Sequence, residues 1–231
     1  YVYCKVRTRA VFAAVVLIGY SLLMYLVVAP DAPDGTDPLS VAGNIAGWVD
    51  RQWLPGTFAC GSFDPEGLLS TLPAIVSALF GMFTGEFLLR KRSSLSGEQI
   101  ALCMALAAVA ITVIGIIWNC WIPINKKLWS SSFTCVVTGY SLGLFALFYY
   151  LIDVRGWKRW TFFFRVIGLN SITIYLAQRI VGFGGIANFF FGGAASHCPE
   201  AIARVISNAG YVAICWLFLY FLYRKSTFLK V

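Results

Sequence analysis

The sequence predicts an all-α integral membrane protein with about six transmembrane helices. Three observations predict it. Of 231 residues, 59% are hydrophobic and only 12% charged, and the mean hydropathy is +0.77; a soluble domain carries about 25% charged residues. Six apolar runs are close to the length of about 20 residues that crosses a bilayer. Basic residues cluster in alternate loops and acidic residues in the others. The net charge of +8 therefore records topology and not nucleic-acid binding.

The first run covers residues 10–28 and follows Lys5, Arg7 and Arg9. No signal-peptide pattern precedes it. The chain opens Tyr1-Val2-Tyr3-Cys4 without an initiator Met, and the expectation is that N-terminal sequence is missing. The second run, 68–89, is opened by Asp64-Pro65-Glu66-Gly67. Asp64 suits an N-cap, whose carboxylate accepts from first-turn amides. Pro65 suits the first helical position, and Glu66 complements the positive end of the helix dipole. Within this run Ser77, Gly81 and Gly85 repeat at four-residue spacing, which suits close helix packing. Pro73 predicts a kink, and Glu86, one turn before Arg90, predicts a local ion pair.

The third run, 100–121, follows Ser96-Gly97-Glu98-Gln99, a capping box. The fourth, 128–152, carries Ser130, Ser131, Ser132, Thr134, Thr138 and Ser141. That polar side either lines a cavity or satisfies helix carbonyls. The fifth, 162–181, holds Arg165 near one end and Asn170-Ser171 nearer the middle; the sixth is 201–223.

Arg90-Lys91-Arg92, then Arg155, Lys158 and Arg159, then Arg224, Lys225 and Lys230 mark the cytoplasmic face, with both chain ends on it. Asp31, Asp34, Asp37, Asp50, Asp64, Glu66 and Glu200 lie outside. The whole of 1–231 reads as one membrane domain with a long outer loop at 30–63. In that loop Val41, Ile45, Trp48 and Gln52 fall at helical spacing beside Trp53 and Leu54, which predicts a short amphipathic helix on the membrane surface. The segment 182–197, rich in Gly and Phe, is re-entrant or interfacial. The seven Cys are scattered, with no CxxC and no His clustering, so no metal site is expected. A Cys60–Cys198 disulfide and unpaired thiols both remain open.

Lys126 and Lys127 break two rules at once. They are cations on the outer side, and they precede the fourth span, where the helix dipole disfavours them. Either something anionic lies nearby, Asp64, Glu66 or a ligand, or both side chains snorkel into water. Asn170 reads as a ligand contact or as an interhelical clamp. His197 is the sole histidine and has no partner at fixed spacing.

Several of these pieces resemble the heparan-alpha-glucosaminide N-acetyltransferase family and its bacterial relatives. The matching segments are Asp64-Pro-Glu-Gly-Leu-Leu-Ser-Thr71, Pro123-Ile-Asn-Lys-Lys-Leu-Trp-Ser-Ser131, Asp153-Val-Arg-Gly156, Gly168-Leu-Asn-Ser-Ile172 with Tyr175, and Tyr223-Arg-Lys-Ser-Thr-Phe-Leu-Lys-Val231. They stand in family order and reach nearly the whole chain from Asp64. The resemblance implies a multispan acyltransferase that moves acetyl from cytosolic acetyl-CoA to an amino sugar on the outer side. It also implies that this chain is the C-terminal half. The family's catalytic histidine lies in the other half; His197 does not match it, so the fragment alone should be inactive.

In that reaction Asp64 or Glu66 would orient the amine, and Asn125 or Lys126 would donate to the developing oxyanion. Asn170 and Ser171 would meet the pantetheine amides. Arg155, Lys158, Arg159 and Arg165 would hold the CoA phosphates. The implied partners are the lipid bilayer, a small amino sugar or glycan and the remainder of the same protein, with no nucleic acid; a homo-oligomer is left open. The implied location is a bacterial inner membrane. A sugar or amino-sugar permease is the alternative reading, since a polar fourth span serves transport equally well.

Overall fold

The computed structural model describes residues 4–58 and 60–229. The described residues are helical, with no strand among them; the one β-bridge joins Val28 to Asn44. The chain falls into two compact units, Tyr1–Gly156 and Trp157–Val231.

The first unit holds α1 (Val6–Leu26), α2 (Ile45–Trp53), α3 (Thr71–Lys91), α4 (Gly97–Trp118) and α5 (Ser131–Tyr149), which runs on as a π turn over Tyr150–Val154. α1 shows why these are spans. Ala13, Leu17, Tyr20 and Met24 recur at helical spacing and are buried, while Val11, Val15, Ile18 and Leu22 form an exposed apolar stripe on the other side. Water does not tolerate such a stripe on a soluble protein; lipid does. Ala13 and Leu17 meet Val76 of α3 and Cys135 of α5 in one cluster, and Ile100 and Met104 of α4 meet Ala146 of α5 in another. Near the opposite end from α2, Arg9 of α1 pairs with Glu86 of α3 at 2.8 Å, and Glu86 also pairs with Arg90 at 2.5 Å. Glu86 thus makes the local pair read from the sequence and an interhelical one besides.

The close helix approach lies elsewhere than the sequence suggested. A Cβ added to Gly81 or Gly85 would meet nothing within 4 Å. Gly115 of α4 and Gly139 of α5 are the crowded positions, each flush with the partner helix backbone around Ser132 and Val136 or Ala108 and Thr112. The capping box forms as read, with the Ser96 side chain accepting from Gln99 N and the Gln99 side chain accepting from Ser96 N. The start of α3 differs. Its N-cap is Ser70, so Asp64 and Pro65 belong to a preceding turn. Pro73 then sits in the first helical turn, where its missing N–H is not needed, and α3 runs unbroken past it.

The second unit holds α6 (Thr161–Gly168), α7 (Ser171–Ile180), α8 (Phe183–Ser196) and α9 (Glu200–Arg224). The fifth span read over 162–181 is not one helix. It breaks at Leu169-Asn170, where Asn170 leaves the helical region with φ −132° and ψ 32°. The Gly- and Phe-rich segment is helix α8, which is bent by 81° from α7 at Val181-Gly182 and packs back against α9. Phe183 and Ala177 close on Cys215, and the Phe191 ring lies against Gly210. α6 is held to α9 by the Phe163–Trp216–Tyr220 ring stack and by Trp216 Nε1 donating to the Phe163 carbonyl at 3.1 Å. Among the described residues five helices are long and apolar enough to cross a membrane, and six if α7–α8 counts as one bent span.

Candidate functional site

The α2 end of the first unit gathers both outer motifs. α2 begins where Asn44, fully buried, accepts from Gly47 N at 2.6 Å and donates to the Ser40 and Val41 carbonyls. Its buried face is Ile45, Ala46, Gly47 and Asp50, rotated from the stripe read in the sequence, and Val41 is 62% exposed. Ile45 and Ala46 pack on Tyr20, Met24 and Leu128, with Leu69 against the same cluster. The helix thus gives its apolar side to the end of the bundle. Leu69 and Leu128 bring the 64–69 and 125–130 segments to one cluster.

The first motif is a turn. Asp64 Oδ1 accepts from Glu66 N at 2.9 Å and the Asp64 carbonyl accepts from Gly67 N at 3.1 Å. Asp64 is half-buried and Glu66 exposed. Behind the turn stands Asp50, 2% exposed, whose carboxylate accepts from Leu68 N at 3.0 Å and Asp64 N at 3.4 Å. Next to it, Arg51 donates to both oxygens of Asp31 at 2.9 and 2.7 Å and to the Ser62 carbonyl at 2.8 Å. The Arg51 guanidinium holds the Asp31 carboxyl below the usual carboxylate range.

The second motif is also a turn. Asn125 Oδ1 accepts from Lys127 N at 2.9 Å and Leu128 N at 3.4 Å, which fixes the orientation of the side-chain amide. Ser130 closes it, accepting from Asn125 N at 3.0 Å and donating to the Pro123 carbonyl at 2.9 Å. Trp129 takes φ 50°, a strained value for a bulky residue, between the turn and α5. Tyr20 Oη donates to the Leu128 carbonyl at 2.5 Å, and Ser131 Oγ to the Leu17 carbonyl at 2.7 Å. Beneath lies a cavity of about 30 Å³ lined by Tyr20, Ser21, Ile122, Asn125, Leu128 and Ser130. Lys126 and Lys127 are exposed. Neither they nor Glu66 enter an ion pair among the described residues.

Of the remaining sequence-derived positions, Arg155 belongs to the first unit and Lys158, Arg159, Arg165, Asn170 and Ser171 to the second. Arg155 ends the π turn of the first unit, with Nε donating to Tyr150 Oη at 2.7 Å. In the second unit Lys158, Arg159 and Arg165 are exposed. Asn170 is 1% exposed and already engaged: Nδ2 donates to the Thr227 carbonyl at 3.2 Å and Oδ1 accepts from Thr173 Oγ1 at 3.2 Å. It is a clamp between the helix break and the 225–229 segment. Ser171 is exposed at the start of α7. All seven cysteines are thiols. Sequence reasoning missed Asp50 and Tyr20; the available signal was an acid three and four residues after Gly47 and Ala46, on one helix face.

No family model matches the chain. The curated relatives it matches are heparan-alpha-glucosaminide N-acetyltransferases of Mus musculus and Homo sapiens, each 29% identical over 211 residues and 82% of this chain. The chain resembles heparan-alpha-glucosaminide N-acetyltransferase. The match falls in the C-terminal part of those acetyltransferases and spans 30% of their length, less than the half read from the motifs. Its apolar helices and this similarity to the N-acetyltransferases mark a multi-pass membrane protein.

Proposed function

We propose that this chain forms part of a transmembrane acyltransferase that carries acetyl from acetyl-CoA to an amino sugar across the membrane. The observation that carries the proposal is the similarity to the two N-acetyltransferases over 82% of the chain. The packing of Leu69 and Leu128, one from each of two motif segments, on one cluster with α2 supports it.

In this reading the α2 end faces the acceptor side and both chain ends face the cytosol, in a bacterial inner membrane. Asp64 and Glu66 attract and orient the acceptor as its ammonium. The amine loses a proton to a base and attacks the thioester carbonyl; C–N forms first, and collapse of the tetrahedral oxyanion then breaks C–S and releases the CoA thiolate, which takes the proton from the base. Asn125 Nδ2, aimed by the two amides that hold Oδ1, donates to the oxyanion, with Lys126 beside it. Arg155, Lys158, Arg159 and Arg165 are the cations for CoA phosphates. Ser171 is open to the pantetheine arm, whereas Asn170 serves as a clamp. The base belongs to the longer protein, so the chain alone is inactive. Val41 and Trp53, exposed at 62% and 73%, rest the outer loop on the membrane surface.

A permease for an amino sugar is the second reading. It is favoured by a groove of about 340 Å³ between α3 and α5, lined by Ser77, Thr84, Thr138 and Ser141 among others. Full-length protein in vesicles, given labelled acetyl-CoA outside and glucosamine inside, separates the two. Labelled N-acetylglucosamine inside supports the acyltransferase. Movement of unmodified glucosamine with no labelled product overturns it in favour of the permease.

A further inference from the structure

Asp50 is a buried carboxylate that accepts from main-chain amides and enters no ion pair among the described residues. A carboxylate out of water is costly unless hydrogen bonds replace its hydration. Here one turn supplies two donors, Leu68 N at 3.0 Å to Oδ1 and Asp64 N at 3.4 Å to Oδ2. Between them Gly67 lies so close that a Cβ there would overlap both carboxylate oxygens. Attraction and contact therefore fix the turn together. Asp50 is itself fixed from both sides in sequence: Asn44 caps the start of α2, and Arg51 is clamped to Asp31 and to the Ser62 carbonyl.

We infer that Asp50 is a positioning residue: through the backbone of the 64–68 turn it sets the direction of Asp64 and Glu66, and so the affinity for an amine-bearing acceptor. It acts through the turn and does not touch the acceptor. The inference rests on the proposed function for the identity of the acceptor. It predicts a selective effect, since the turn serves only the acceptor side.

The test uses the full-length protein, with glucosamine binding measured by calorimetry alongside steady-state kinetics. Asp50→Asn keeps the shape and one acceptor oxygen but loses the charge and the second acceptor. It should weaken glucosamine binding and raise its KM by about tenfold, the loss of one charge-assisted hydrogen bond, while KM for acetyl-CoA stays unchanged. Unchanged glucosamine affinity, or equal losses for both substrates, overturns the inference. Where Asp50→Asn does not fold, Gly67→Ala carries the test, because it displaces the turn without altering the charge. It should give the same selective loss, and adding it to Asp50→Ser should make the loss no larger; additive losses overturn the inference. Wild-type protein that binds glucosamine without acetylating it overturns the acyltransferase reading and leaves this inference standing. Wild-type protein that does not bind glucosamine overturns both.

Discussion

Tyr20 and Leu128 are 108 positions apart, yet the phenol of one donates to the carbonyl of the other at 2.5 Å, in the buried end of the first unit. This bond fixes the residue that ends the Asn125-Lys126-Lys127 turn to α1. Tyr20→Phe keeps the ring in its cluster but leaves a buried carbonyl without its donor. It should lower stability by about 1–3 kcal/mol, read as a lower midpoint of thermal denaturation in detergent. An unchanged midpoint would show that the carbonyl finds another donor.

Gly139 and Gly115 carry the α4–α5 contact. Gly139→Ala should cost about 1–3 kcal/mol, since a methyl there overlaps the backbone of the partner helix. Gly81→Ala, in open space, should be neutral or stabilise α3 by about 0.5–1 kcal/mol. Thermal midpoints in one detergent compare the two; equal effects would disprove the contact.

Arg9 and Glu86 have side chains only 9% and 15% exposed. Removing one charge should be far worse than removing both. Glu86→Gln should cost about 3–5 kcal/mol, and the pair Arg9→Met with Glu86→Leu should recover most of it. Urea or heat denaturation of the single and double variants measures the difference.

The outer loop should loosen in acid. Arg51 lowers the folded-state pKa of Asp31. The contribution of that pair is therefore fully present above the unfolded carboxylate value, about 3.9. It is lost as pH falls further, through the lower folded value. Asp31 is solvent-facing, so the effect is modest and salt-sensitive. Limited proteolysis of the 30–63 loop should accelerate below about pH 4, and Arg51→Gln should remove that pH dependence.

Much of this architecture was legible because lipid imposes length and apolarity on a span. The runs at 10–28, 68–89, 100–121, 128–152 and 201–223 each contain a helix, with ends shifted by a few residues. The Ser96–Gln99 box was legible because its hydrogen bonds are local. What failed was long-range. Gly81 and Gly85 have the packing pattern but no neighbour, whereas Gly115 and Gly139 have the neighbour without an obvious repeat. Asp64 has the chemistry of an N-cap, but its carboxylate closes a tighter turn and Ser70 starts the helix. Run 162–181 is apolar enough to span, yet the Asn170 amide is engaged by Thr227, 57 residues on, and no local rule reveals that partner. At the α2 end the sequence marked both turns and the helix face of Asp50, while the hydrogen bonds of Asp50 to the first turn and of Tyr20 to the second are long-range and form only when the chain closes on itself.

The glycine contact between α4 and α5 has a mechanical consequence. Two helices whose backbones touch through Gly115 and Gly139 have no side-chain layer in which to slide. They must travel as one rigid rod. Any rocking within the first unit has to hinge between that rod and the pair formed by α1 and α3, across the contact of Ala13, Leu17 and Val76 with Cys135 and the Ser131–Leu17 hydrogen bond.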